Sequence, residues 1–287
     1  RVFDPDVLVR SFEQLGFSKE DHDTWNQMTS HPHGIIFVTG PTGSGKTTTL
    51  YSTLKQLATS EVNVCTIEDP IEMVEPSFNQ MQIQANIDVD FAQGVKAMLR
   101  QDPDIIMIGE IRDLQTADMA IQAALTGHLV LSTLHTNDAP SSVTRLIDLG
   151  VPPYMISATV LGVMAQRLVR TLCPNCKAPS ETDPQAWGEL VRPFKMKMPE
   201  TLYQPVGCLE CRGTGYRGRM GVYETMPLRT TLKNHITRGA DLETLTRASL
   251  KSGMKPLRIS GAMKVAKGLT TIEEVMRVTP SQDILMG

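Results

Sequence analysis

Gly34-Ile-Ile-Phe-Val-Thr39 followed by Gly40-Pro-Thr-Gly-Ser-Gly45-Lys46-Thr47 passes from an apolar, branched run into a glycine-rich loop. The first half reads as a buried strand, because it is a short apolar run with branched residues, bounded by glycines. The second half fits G-x-x-x-x-G-K-[ST] at every fixed position. Lys46–Leu57 then reads as a helix. Glycines in such a loop let backbone N–H groups turn inward, and the helix N-terminus behind them favours negative charge. The stretch therefore predicts a phosphate cradle built from Gly40, Pro41, Thr42, Gly43, Ser44, Gly45, Lys46, Thr47 and Thr48. Lys46 is expected to reach the β- and γ-phosphates of ATP, and the Thr47 hydroxyl to ligate Mg²⁺. A chance glycine-rich turn would not sit between a strand and a helix.

Further strands are expected at Val62–Ile67, Ile105–Ile108 and Leu129–Ser132. Helical stretches lie between them at Phe91–Gln101, Thr116–Leu125 and Ala139–Leu149. Strands alternating with helices indicate an α/β domain with a mainly parallel sheet, whose ligands bind beyond the carboxyl ends of the strands. Before this unit, residues 3–30 carry apolar residues at helical spacing, with Leu8, Phe12 and Leu15 on one face. After it, Tyr154–Arg170 reads as a helix. Residues 171–222 are rich in Pro, Gly and Cys and show little periodicity. Residues 228–279 read as short helices broken at Gly239, Gly253 and Gly268.

Acidic and histidine side chains cluster after the strands. Ile105-Ile-Met-Ile-Gly109-Glu110 puts Glu110 at a strand end, where a nucleotide hydrolase needs a carboxylate on the magnesium side. Gly109 stands where an aspartate is common. Thr66-Ile-Glu68-Asp69-Pro-Ile-Glu72 crowds three carboxylates around a proline, and one could act as general base. Spacing alone does not choose among them. His128 and His135 bracket the strand at Leu129, and a polar group directly after a strand could sense the γ-phosphate.

Four of the five cysteines form two C-x-x-C pairs, Cys173/Cys176 and Cys208/Cys211, with residues 177–207 between them. Four thiolates at this spacing suit tetrahedral Zn²⁺ in a closed, structural site. A redox pair would be expected beside a βαβ unit, and neither pair is. Cys65 lies in an expected strand and reads as a small core residue.

Composition narrows the function classes. Charged residues are 21% and hydrophobic residues 41%, as in a globular protein. A net charge of −3 lacks the basic footprint of a nucleic-acid binder. The longest apolar candidate, Met155–Ala165, is too short to span a bilayer. The odd cysteine count without a secretory signal points to a reducing compartment.

Read together, GPTGSGKT, TIEDPIE, LRQDPDIIMIGEIRD and TGHLVLSTLHTNDA occur in one order, and in this they resemble the secretion ATPase superfamily of type II secretion ATPases and type IV pilus motors. The resemblance runs over essentially the whole chain. It implies a RecA-like core over residues 31–170, a zinc lobe over 171–222 and a C-terminal helical domain over 223–287. Residues 1–30 would be a remnant of a PAS-like subdomain, with its last strand at Arg1-Val-Phe3, and a linker helix. It also implies Glu72 as general base, Glu110 as Walker B carboxylate, and nucleotide-facing roles for His128 and His135. Arg112 and Arg145 lie in matching arginine-bearing stretches without an assigned role. The implied partners are a homo-hexamer of this chain and a platform protein at the cytoplasmic face of the inner membrane. The cysteine lobe marks assembly motors rather than retraction motors. Leu161–Cys173 looks most like the type II secretion branch and Thr136–Pro140 like pilus assembly, so type II secretion is the first expectation and pilus assembly the second. A DNA-translocating ATPase shares the core and is the rival of another class. With so little of the PAS-like subdomain, slow hydrolysis is expected.

Overall fold

A computed structural model of the protein describes residues 10–84, 86 and 89–281. The expected PAS-like strand at residues 1–3, and Leu8, lie outside these. Among the described residues the main sheet has seven strands. In chain order they are β1 (Gly34–Thr39), β2 (Val64–Glu68), β3 (Asn79–Gln82), β4 (Ile105–Ile108), β5 (Leu129–Leu134), β6 (Val160–Leu172) and β9 (Tyr216–Pro227). Their spatial order is β3-β2-β4-β5-β1-β6-β9. All neighbours pair in parallel except β6 with β9, which pair antiparallel. A second, two-stranded antiparallel sheet pairs β7 (Ala178–Ser180) with β8 (Leu202–Gln204).

The parallel strands are short, branched and buried on both faces. Alternate side chains of β1 go to opposite sides. Ile35 and Phe37 join a core with Ile67, Ile106, Ile108 and Val130, while Ile36 and Val38 join a second core with Val64, Met107, Leu131 and Trp25. Helices cover both faces, which is what buries a parallel sheet. The crossover helices are α3 (Lys46–Leu57), α4 (Phe91–Met98), α5 (Leu114–Leu125) and α6 (Ala139–Asp148). Aspartates 90, 113 and 138 cap the last three by accepting a backbone N–H in the first turn. Before β1, α1 (Phe12–Leu15) and α2 (Lys19–Thr29) are separated by a left-handed Gly16.

One expected helix is a strand for most of its length. Tyr154–Arg170 divides into α7 (Pro153–Thr159) and β6. Interior β6 is buried on both faces, so its apolar run lacks the two-residue alternation that marks a half-exposed strand. At Gly162 a Cβ would lie 2.2 Å from the Met28 sulfur and 3.0 Å from the Met226 carbonyl oxygen, so the missing side chain lets α2 pack close to the sheet. The polar edge strand β3 escapes a search for apolar runs altogether.

Residues after Leu172 form α8 (Pro184–Val191), the small sheet and a cysteine-bearing tip, and the chain then returns as β9. Four helices follow: α9 (Thr230–Thr237), α10 (Leu242–Lys251), α11 (Leu257–Ala266) and α12 (Ile272–Val278). Two buried carboxylates tie them to the sheet. Glu224 of β9 accepts from the Ala139 N–H at the start of α6 (2.7 Å) and the Leu257 N–H at the start of α11 (3.3 Å). Burial pushes its carboxyl up to about 7. Glu274 of α12 accepts from the Arg170 side chain (2.6 Å), the Arg170 N–H (3.1 Å) and Arg277 (2.9 Å). Burial opposes its charge, but these donors win and hold it at about 2.

The charge of Glu274 therefore stabilises the fold fully above the ordinary value of 4.5, and less as pH falls toward about 2. Glu274→Gln should lower stability by about 2 kcal/mol at pH 7, and the deficit should shrink steadily below pH 4.5. Thermal melts of both proteins across this range measure it.

Candidate functional site

The carboxyl ends of β1, β2, β4 and β5 open on one edge of the sheet, and the loop after β1 is the glycine-rich Gly40–Gly45. Gly40 turns with φ 149°. A Cβ on it would meet the Gln166 carbonyl oxygen at 2.5 Å, the Ser44 hydroxyl at 2.6 Å and the Arg167 guanidinium at 3.0 Å. The loop is thus pressed onto β6, which runs past the end of β1. Gln166 also accepts from the Thr49 hydroxyl in α3 (2.8 Å). Arg167 donates to the carbonyls of Gln166 (2.9 Å) and Asn137 (2.8 Å). Sequence reasoning singled out neither residue, because their role depends on the strand that was expected to be a helix.

Gly45, with φ 89°, is the N-cap of α3 and makes no side-chain cap. The first-turn N–H groups of α3 therefore remain free to face an anion. Lys46 folds its ammonium back on the loop, donating to the carbonyls of Gly40 (2.7 Å) and Pro41 (3.1 Å). Burial lowers its pKa to about 8, helped by the Arg167 charge and opposed by Glu110. Among the described residues the buried Ser44 hydroxyl has no hydrogen-bond partner. Pro41, Thr42 and Gly43 are exposed at the loop tip, and Thr47 and Thr48 are half-buried in the first turn of α3. The loop and the uncapped helix start behind it offer first-turn N–H groups, a hydroxyl and one partly desolvated ammonium, a donor set that fits a polyphosphate.

The three carboxylates at and after the end of β2 separate by environment. Glu68 is buried and accepts from Tyr51 (2.5 Å), Thr66 (2.7 Å) and Gln80 (3.1 Å). Its acceptor sites are occupied, so it braces the fold. Asp69 and Glu72 are exposed. Glu72 alone faces the phosphate loop, with Oε1 3.5 Å from the Thr47 hydroxyl.

Glu110 follows β4 and is 12% exposed. It forms an ion pair with the exposed Arg112 and lies 3.3 Å from His135 Nε2. Ser132 and Thr133 of β5 donate to the Ile108 and Gly109 carbonyls, both at 2.7 Å, and so fix the end of β4 beside the end of β5. Glu110, His135 and Lys46 are thereby gathered at one edge. His128 is not among them. It precedes β5, and a strand of that length spans roughly 20 Å. There its Nδ1 lies 2.9 Å from the Ala123 carbonyl and 3.1 Å from the Thr126 hydroxyl, at the C-terminus of α5. Arg145 is exposed on α6. Two histidines that look equivalent around a strand must sit at opposite ends of it.

The four cysteines converge. Cys173–Cys208, Cys176–Cys211 and Cys208–Cys211 sulfurs are 3.9, 3.8 and 3.7 Å apart. All four lie within 4.8 Å of one another. These are not disulfides, whose sulfurs approach to about 2 Å. Ligands about 2.3 Å from a tetrahedral Zn²⁺ would stand roughly 3.8 Å apart, so the cluster fits the metal. Backbone N–H groups of Gly207, Cys208 and Gly215 donate to the sulfurs, as thiolates require. Cys65 is buried in the core. No described helix is long and apolar enough to cross a membrane.

The model of the type II/IV secretion system protein family matches residues 1–277. Over 98% of the chain, 64% of residues are identical to the type IV pilus assembly ATPase TfpB of Acinetobacter baylyi, of which 48% is covered. Over 97% of the chain, 47% are identical to the type II secretion system ATPase E of Vibrio cholerae, of which 55% is covered. The chain thus spans about half the length of the curated relatives it matches. The fold resembles that of the pilus retraction motor PilT crystallised with bound ADP, with TM-score 0.70 and 28% identity, over 96% of this chain and 68% of that one. The chain belongs to the type II/IV secretion system protein family.

Proposed function

We propose that this chain is the ATPase part of a motor that drives assembly of a pilin-like filament. The observation that carries this reading is the convergence of Lys46, Thr47, Glu72, Glu110 and His135 on the carboxyl edge of one parallel sheet. The loop N–H groups and Lys46 bind the phosphates of ATP. Glu72, exposed beside Thr47, takes a proton from the attacking water. Glu110 supplies negative charge on the magnesium side, and Mg²⁺, when bound, neutralises charge between the phosphates. His135 senses the site through its 3.3 Å contact with Glu110.

The 64% identical relative is a pilus assembly ATPase, whereas the type II secretion ATPase stands at 47%. This difference favours type IV pilus extension, with pseudopilus assembly in type II secretion as the second reading. The motor would act as a hexamer at the cytoplasmic face of the inner membrane, against a platform protein. The cysteine lobe, holding Zn²⁺ for structure, belongs to that assembly-motor reading. Restoration of pili, but not of protein secretion, in deletion strains of the two kinds would establish the branch.

Lys46→Ala should abolish ATP binding, measured with a fluorescent nucleotide. In the parent, affinity should decline above pH about 8, where Lys46 loses the proton that pairs with phosphate. A flat profile between pH 7 and 9 would contradict this role. Glu72→Gln and Glu110→Gln should each keep nucleotide binding but lower phosphate release by about 100-fold or more. Turnover at the parental rate in either variant removes it from the mechanism. Metal analysis should find about one Zn²⁺ per chain. Cys176→Ser or a strong chelator should release it and expose the lobe to protease while the phosphate loop still binds nucleotide.

A further inference from the structure

Glu72 sits in an exposed loop, yet a base must be held to within a fraction of an ångström of its geometry. The chain spanning residues 69–78 has no helix or strand of its own to do this. What grips it is the edge strand β3. Gln80 and Gln82 are two residues apart and so project from the same side of the strand. The Gln82 Oε1 accepts from the Ile71 N–H (3.1 Å), immediately before Glu72. The Gln80 amide NH₂ reaches the Met73 carbonyl (2.9 Å), immediately after it, and also Glu68 (3.1 Å) and the Tyr51 hydroxyl (3.0 Å). The Gln80 Oε1 accepts from the Glu75 N–H (2.7 Å). Both backbone neighbours of Glu72 are therefore held by glutamine side chains. The same clamp is anchored inward to buried Glu68 and, through Tyr51, to α3, the helix that starts at the phosphate loop.

We infer that Gln80 and Gln82 are positioning residues that hold the Glu72 carboxylate against Thr47 and so set the rate of hydrolysis without touching the nucleotide. This rests on the reading of Glu72 as general base. Neither glutamine contacts the phosphate loop in the hydrogen bonds described, so their loss should move turnover and leave ATP binding alone. The chemistry of each bond also sets which substitutions are tolerated. Gln82 uses only its carbonyl oxygen toward the loop, and a carboxylate offers the same acceptor. Gln80 needs its NH₂ donor, which a carboxylate lacks, and a second negative charge beside Glu68 would repel it.

The test uses the full-length protein with Mg·ATP. Gln82→Leu and Gln80→Leu should each lower kcat at least about tenfold, with KM for ATP and fluorescent-nucleotide affinity within about twofold of the parent. Gln82→Glu should restore kcat to within about threefold, whereas Gln80→Glu should not. A general packing role would predict failure of both glutamates alike. If Glu72→Gln abolishes turnover while Gln82→Leu keeps parental kcat, the clamp is refuted and the base is not. If Glu72→Gln itself keeps parental turnover, both fall. Should Gln80→Leu fail to fold, the Gln82→Leu and Gln82→Glu pair alone decides: kcat lost and then restored supports the clamp, and any other pattern overturns it.

Discussion

Gly40 has no room for a side chain, and much of the molecule follows from what crowds it. The Gln166 carbonyl, the Ser44 hydroxyl and the Arg167 guanidinium stand where a Cβ would be. The phosphate loop is therefore shaped from below by β6 as well as by its own glycines. β6 must be an extended, doubly paired strand for Gln166 and Arg167 to reach that place. Its partners β1 on one side and β9 on the other supply the pairing.

The same strand joins the other working parts. It runs from the phosphate loop at Gln166 and Arg167 to Arg170, which holds Glu274 of the last helix. It ends at Leu172, immediately before the first residue of the four-cysteine cluster. Its antiparallel neighbour β9 carries Glu224 between the starts of α6 and α11. One continuous piece of backbone thus reaches the glycine-rich loop, the cysteine tip and the terminal helices. The two buried glutamates tie that backbone to the helices on either side of it.

The site divides labour between charge and support. Lys46 and Glu110 are partly desolvated and share one electrostatic environment. Glu72 is exposed and owes its place to neighbours. Of the three carboxylates that crowd the end of β2 and the loop after it, one is spent entirely on structure. Glu68 accepts hydrogen bonds from three side chains, and its burial is affordable only on those terms.

The sequence by itself determined the phosphate loop, the parallel α/β order, the cysteine pairs and the helical C-terminus. These are local signals, since glycine spacing, apolar runs and C-x-x-C pairs carry their meaning within a few residues. Spacing left Glu68, Asp69 and Glu72 equivalent, with Glu72 picked out only by the family resemblance, and it paired His128 with His135. The tertiary structure supplied the physical distinction, because burial and strand direction are set by partners far along the chain. It also turned most of an expected helix into β6, since burial on both faces erases the alternation that marks a strand. For the same reason Gln80, Gln82, Gln166 and Arg167 were invisible beforehand. Their bonds reach residues distant in sequence, and an edge strand rich in glutamine carries no apolar pattern to betray it.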